Sequence, residues 1–233
     1  VRDALKADFD GTLAAIAEMG YDAVEFAGYH DRSPHTVKAL TDRLGLATPS
    51  VHVLPGHIRE RADDILAAAQ IMEHEYVVCA FLQEDDRESL AAYRNVAALL
   101  NDFGARCAEA GIQLAYHNHD FEFHPIDGTR PYDLLLDETD PAHVAMEIDL
   151  FWIRAAGHDA AAYVEAHPGR FPLWHLKDMG PDGAMRAVGD GEMPFDALLA
   201  HAEPAGLQHA FVEHDDAEDP MGSLRSSLAY LRQ

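Results

Sequence analysis

Seven short apolar runs, each separated from the next by a helical pattern, recur along this chain: 23–26, 49–53, 76–81, 112–116, 144–149, 172–176 and 210–213. Strands that alternate with helices join as right-handed parallel βαβ units, and seven in succession favour closure over an open sheet. The expected architecture is α/β, a TIM (β/α)8-type barrel. Counted against eight strands the chain is one short, and Val1-Arg2-Asp3-Ala4-Leu5 already reads as the approach to a helix, so the first strand is expected to be missing from this chain. Helical periodicity is predicted over 12–19, 34–44, 59–72, 88–110, 131–136, 160–166, 194–202 and 221–231, with Gly20, Gly45 and Gly111 as stops.

A length of 233 residues, 48% of them hydrophobic, suits one barrel domain over 1–233, and no Gly/Ser tract divides it. The balance of 17 Lys and Arg against 41 Asp and Glu, a net charge of -24, repels polyanions and argues against a nucleic-acid partner. No apolar run approaches the roughly 20 residues that span a bilayer, and the opening residues lack a basic-then-apolar leader. Cys79 and Cys107 have no metal-type spacing and read as buried, reduced thiols. These features predict a cytoplasmic protein without a membrane partner. Gly189-Asp190-Gly191 lacks the strand–GxGxxG–helix context of a dinucleotide site.

The chemistry gathers at strand ends, which in a parallel barrel open onto one face. Tyr116-His117-Asn118-His119-Asp120-Phe121-Glu122 ends the 112–116 run, Glu147-Ile148-Asp149 the next, His175-Leu176-Lys177-Asp178 the next, and Glu213-His214-Asp215 the last. Alternation along a strand lets at most every second residue face the mouth. Asp149 and His175 are the expected ligands on their strands, while the deeper Glu147 reads as a structural carboxylate bonded to a neighbouring base. Glu213 and Glu122 approach from opposite sides. Two carboxylates flanking an ion, completed by an imidazole and a further carboxylate, suit one divalent metal ion: Mn, Zn, Co or Mg. Such an ion holds a hydroxy-ketone through two oxygens and acidifies the C–H between them. Lys177 is placed to neutralise a developing oxyanion. His52, on a short apolar strand, is favoured for the pocket over Glu25 and His30, and Phe121, Phe151 and Trp152 would either cover the mouth or pack the core.

In order along the chain, His-Asn-His-Asp-Phe-Glu-Phe, Glu-Ile-Asp-Leu-Phe-Trp, His-Leu-Lys-Asp and Val-Glu-His-Asp resemble the sugar phosphate isomerase/epimerase family of the xylose isomerase-like TIM barrel superfamily. The resemblance covers nearly the whole chain. It implies metal ligands at Glu122, Asp149, His175 and Glu213, with His117 or His119 able to take the place of Glu122. It further implies Glu122 and Glu213 as the catalytic acid/base pair working through a metal-bound enediolate, and His52, His117, His119, Lys177 and Arg186 as substrate-binding residues.

The expected function is therefore metal-dependent isomerisation or epimerisation of a ketose or related polyol, a small-molecule carbohydrate. Few basic residues lie near the strand ends, which favours an uncharged sugar. A dehydratase or lyase acting on a keto-sugar or inosose through the same site is the alternative, and a non-catalytic barrel homologue a third. A phosphoesterase would need several metals and a nucleic-acid surface, which the charge opposes. Aromatic residues around the mouth would suit a homodimer.

Overall fold

The computed structural model describes residues 1–233. Helices begin where the sequence supplies a cap: Asp8, Ser33, Ser89, Asp149, Asp159 and Asp219 each accept a hydrogen bond from a free N–H of the following first turn. Gly20 ends the helix Phe9–Met19 in the left-handed region, φ 98°, where a Cβ is disfavoured. Helices Pro34–Leu44, Pro55–Met72, Leu90–Glu109, Pro131–Glu138, Ala160–Ala166 and Pro220–Leu231 occupy the other predicted stretches. The helix predicted over 194–202 is instead two short pieces, Phe195–Leu199 and Ala202–Ala205. Leu150–Ala155 is a helix the periodicity misses, too short for a repeat but capped by Asp149.

Six strands form one parallel sheet: β1 (Ser50–Val53), β2 (Tyr76–Cys79), β3 (Gln113–His117), β4 (Val144–Asp149), β5 (Leu173–Leu176) and β8 (His209–Val212). Between the last two lies an antiparallel hairpin of β6 (Asp178–Met179) and β7 (Met185–Arg186). Each strand of the large sheet pairs with its predecessor in the sheet, giving the order β1-β2-β3-β4-β5-β8. The predicted strand at 23–26 is present only as two parallel bridges, Ala23 with Ala47 and Phe26 with Val51. Its backbone is held on that one side, through Val24 N to Ala47 O at 2.9 Å and His52 N to Phe26 O at 2.7 Å. At the opposite edge β8 pairs only with β5, so no eighth strand closes the wall between β8 and the 23–26 segment.

One face of each strand packs outward against the helices: Val77, Cys79, Leu114, Tyr116, Val144, Met146, Ile148, Trp174 and Leu176 all belong to the main core. Burying a side chain of this size contributes roughly 1.5–3 kcal/mol. The other face points into the barrel, where Val78, Ala115, Ala145 and Leu173 form a separate small cluster.

The hairpin and the loop after it are organised by one buried carboxylate. Asp178 Oδ1 accepts from Met179 N at 2.8 Å and Met193 N at 2.9 Å, and Oδ2 from Gly189 N at 2.8 Å and Gly191 N at 3.0 Å. Gly191 approaches so closely that a Cβ there would lie 2.3 Å from Asp178 Oδ1. The Gly-Asp-Gly sequence thus wraps a side chain of the protein itself. Replacing one oxygen by an amide turns two of these four acceptor contacts into donor-to-donor contacts. Asp178→Asn is expected to lower stability by about 2–4 kcal/mol in urea denaturation and to speed amide exchange across 179–193; an unchanged midpoint would refute this account of the loop.

Candidate active site

Register decides which polar strand-end residues face inward. His117 lies opposite Glu147, and Asp149 opposite His175, on neighbouring strands. One step towards the strand starts, Ala115, Ala145 and Leu173 fill the interior, and two of these are small. Above them His117, Glu147, Asp149 and His175 converge, all buried, joined by Glu213 just past β8 and His52 from β1.

Two groups of side chains share His175. Around its Nδ1 stand Glu213 Oε2 at 2.8 Å, His117 Nε2 at 3.1 Å and Asp149 Oδ2 at 3.7 Å, with His117 Nε2 and Asp149 Oδ2 3.2 Å apart. Around its Nε2 stand Glu25 Oε1 at 2.9 Å and Glu147 Oε2 at 3.3 Å, and His52 Nε2 bridges those carboxylates at 2.7 and 3.0 Å. Asp149 divides its two oxygens, Oδ1 capping the next helix at Trp152 N and Oδ2 facing the cluster.

These four carboxyl groups, with Asp215 beside them, face two permanent cations, the exposed Arg2, 3.2 Å from Glu213 and from Asp215, and the buried Lys177. Its buried ammonium lies 3.1 Å from Asp149, 2.9 Å from Glu213 and 2.9 Å from Asp215. Burial alone would strip charge from these groups, but the opposite charges prevail. Burial pulls His52 and His175 down, yet the facing carboxylates outweigh it, lifting His52 to about 10 and His175 well above its ordinary value. Burial likewise opposes ionisation of Asp149, Glu25 and Glu213, and is overcome by Lys177 for the first, His52 for the second and His175 for the third. Positive charge is in short supply here. Two imidazole nitrogens 3.1 Å apart, ringed by two carboxylate oxygens, form a donor set that fits a divalent ion, and all four atoms lie within 4.8 Å of one another.

The site opens into a cavity of about 930 Å³. His52, His117, His119, Lys177, Glu213 and Asp215 all line it. Among the four cluster donors only Glu213 is appreciably exposed, at 24%, against 3% or less for the rest. His119 stacks on Phe121, meets Phe81 edge-on and tilts against Trp152, with ring centroids 5.0–5.6 Å apart. Burial lowers His119 to about 3, so it is a neutral imidazole, and its Nδ1 and the Trp152 Nε1 are buried without partners. Phe151 packs in the core, whereas Trp152 and Phe121 are half-buried beside the mouth.

The structure brings Asp149, His175 and Glu213 together but turns Glu122 away. Tyr116 faces the helices, and the 3-10 turn Phe121–Phe123 carries Glu122 back over that outer side. There its carboxyl accepts from Tyr116 Oη at 2.6 Å and His119 N at 2.9 Å. His117, facing inward by parity, occupies the position expected of Glu122. Arg186 is also displaced from its expected role: it bonds Asp182 Oδ2 at 2.7 Å within the hairpin and does not line the cavity. Glu25, ranked behind His52 as a pocket candidate, takes part in the cluster, and so does Asp215, which the sequence did not single out. Alternation from Glu213 marks Asp215, whereas Glu25 is marked only by its place at the end of the 23–26 run.

Burial raises the Glu122 carboxyl to about 7, against the pull of its two hydrogen bonds. A folded-state value above the ordinary 4.5 means that the fold holds the proton more tightly. The resulting stability is complete below the unfolded value and is lost as pH rises through about 7. Urea denaturation of the parent and Glu122→Gln between pH 5 and 8 should therefore show the parent losing up to about 3 kcal/mol relative to the variant; parallel curves would contradict the assignment.

Comparison with known proteins agrees with this architecture. A family model described as xylose isomerase-like TIM barrel matches residues 13–233. An inosose dehydratase of Geobacillus thermodenitrificans is 27% identical over 156 residues, 58% of this chain and 52% of that protein. The chain spans about half the length of the curated relatives it matches. A structure titled sugar phosphate isomerase/epimerase from Parabacteroides distasonis superposes with a TM-score of 0.82 at 24% identity, covering 99% of this chain and 90% of that one. A 3-keto-D-glucoside 4-epimerase of E. coli gives 0.71 at 21%, covering 97% and 94%. At these identities the structural likenesses are of fold. With the inward-facing strand ends and a family match over nearly its whole length, the chain belongs to the xylose isomerase-like TIM barrel family.

Proposed function

We propose that this protein is a divalent-metal enzyme that removes a proton beside the carbonyl of an uncharged ketose or keto-polyol, with Glu213 as the base. The observation that carries the reading is the exposure of Glu213 alone among the four donors, which makes its carboxylate the one donor open to a substrate in the cavity. An ion held by His117, Asp149, His175 and Glu213 would polarise the substrate carbonyl and its neighbouring hydroxyl. Two imidazoles in that set suit Mn, Co or Zn better than Mg, which prefers oxygen ligands. Lys177 stabilises the enediolate oxygen as the proton leaves, and the wall of Phe81, His119, Phe121 and Trp152 excludes water.

Return of the proton to the adjoining carbon completes an isomerisation with one base. Two-base epimerisation is less well served, because Glu122 is turned out of the cavity. Dehydration, in which the same carbanion expels a β-hydroxyl, also needs one base and is the second reading; the similarity to inosose dehydratase favours it. Every Lys or Arg lining the cavity is already paired: Arg2 with Glu213 and Asp215, Arg32 with Asp10, Arg61 with Asp64, and Lys177 with three carboxylates. No cation is spare for a phosphate, which supports an uncharged substrate.

Metal-loaded protein incubated in deuterium oxide with ketoses, keto-sugars and inososes should exchange the proton next to the carbonyl. Glu213→Gln should slow that exchange about 10²–10⁴-fold, and phosphorylated counterparts should react poorly; no exchange with any member of the panel would sink the proposal. Elemental analysis should find about one ion per chain, lost in His117→Ala and Asp149→Ala but kept in Glu122→Gln. Since the facing carboxylates hold a proton on His175, metal binding must displace it, and affinity measured by chelator competition should rise by about tenfold per pH unit for each proton released.

A further inference from the structure

We infer that Glu25 is a positioning residue for the metal site: it accepts the Nε2–H of His175 and so presents the His175 Nδ1 lone pair to the ion. This rests on the proposed metal-binding role of His117, Asp149, His175 and Glu213. Glu25 lies 150 positions away from His175 in sequence, on the segment 23–26 across the barrel, yet its Oε1 stands 2.9 Å from His175 Nε2. On the opposite side of the ring Nδ1 faces Glu213 and Asp149. An imidazole with a carboxylate on each nitrogen can be a neutral ligand through only one of them, and the proton sits on the other. A carboxylate that accepts that proton fixes both the tautomer and the plane of the ring.

Two further contacts hold the Glu25 carboxyl in place. Ser50 Oγ donates to its Oε2, and His52 Nε2 lies 2.7 Å from Oε1. His52 is in turn held by Glu147 Oε2 at 3.0 Å, so Glu147 shares the charge of the group. The two carboxylates differ towards His175. Glu25 makes the hydrogen bond, whereas the nearest oxygen of Glu147 is 3.3 Å away and its Oε1 is buried without a partner. Removing either deletes one negative charge near the ion, but only Glu25 removes the acceptor of the ring proton.

This difference defines the test, made with Co(II) as the probe. Parent, Glu25→Ala, Glu25→Gln and Glu147→Gln are titrated with Co(II) against a chelator, and the visible d–d spectrum of each is recorded along with near-ultraviolet circular dichroism to confirm the fold. Glu25→Ala should bind Co(II) about 10–100-fold more weakly with a changed spectrum, and Glu25→Gln, which keeps a neutral acceptor, should recover part of the loss. Glu147→Gln should show a smaller loss and the parent spectrum. Equal losses in Glu25→Gln and Glu147→Gln with unchanged spectra would reduce the effect to net charge and overturn the inference, as would parent-like binding in Glu25→Ala. Should Glu25→Ala not fold, the two Gln variants decide alone. Failure of the parent itself to bind Co(II) would overturn the metal site, a result distinct from any of these.

Discussion

A strand that is covered by helices on one side and encloses a barrel on the other has no freedom in how it distributes its residues. Side chains alternate, so each position belongs either to the packed layer or to the interior, and an inward polar group must find its partners among the inward groups of other strands. The site follows from that rule. His117, Glu147, Asp149, His175 and Glu213 are inward because Tyr116, Ile148, Trp174 and Val212 pack outward. Ala115 and Ala145 beneath them keep the interior narrow and let the polar layer close upon itself.

Much of this was legible in the sequence. The apolar runs and their helical spacers give the parallel order, and Asp149, His175 and Glu213 stand out because each lies at or next to the end of a largely apolar run. Glu122 lies apart from the cluster for a reason alternation already contains: beyond His117 the chain leaves the extended conformation, so counting by twos no longer applies. A 3-10 turn then carries Glu122 to the outer side of the wall, where Tyr116 offers a hydroxyl. His117 is the last residue of β3 for which the count holds, and it is the one that faces in. Arg186 was expected at the substrate from the resemblance alone, and the hairpin holds it instead on Asp182. Glu25 was a candidate from its strand end, but its pairing with His175 could not be read locally, since that partner comes from the far side of the fold.

The electrostatics of the interior contrast with the composition of the whole. A chain of net charge -24 spends most of its acidic residues on solvent, yet four carboxyl groups lie together where the dielectric is least forgiving. Buried charges of one sign are tolerated only with compensation. Lys177 supplies part of it, protonated His52 and His175 supply more, and a bound cation would release His175 to act as a ligand. Uptake of metal and loss of protons are thus two descriptions of one neutralisation.

The four residues His175-Leu176-Lys177-Asp178 run from the end of β5 into β6. His175 and Lys177 face the interior, Leu176 faces the helices, and Asp178 is seized by four backbone N–H groups outside the barrel. A slip of the strand by one residue would drive the acidic side chain among the inner carboxylates and strand the lysine in a cage built for an anion. The cage therefore acts as a checksum on the alignment of the strand: only the correct register satisfies both addresses, and the imidazole of His175 and the ammonium of Lys177 are set in phase by a residue that stands outside their cluster.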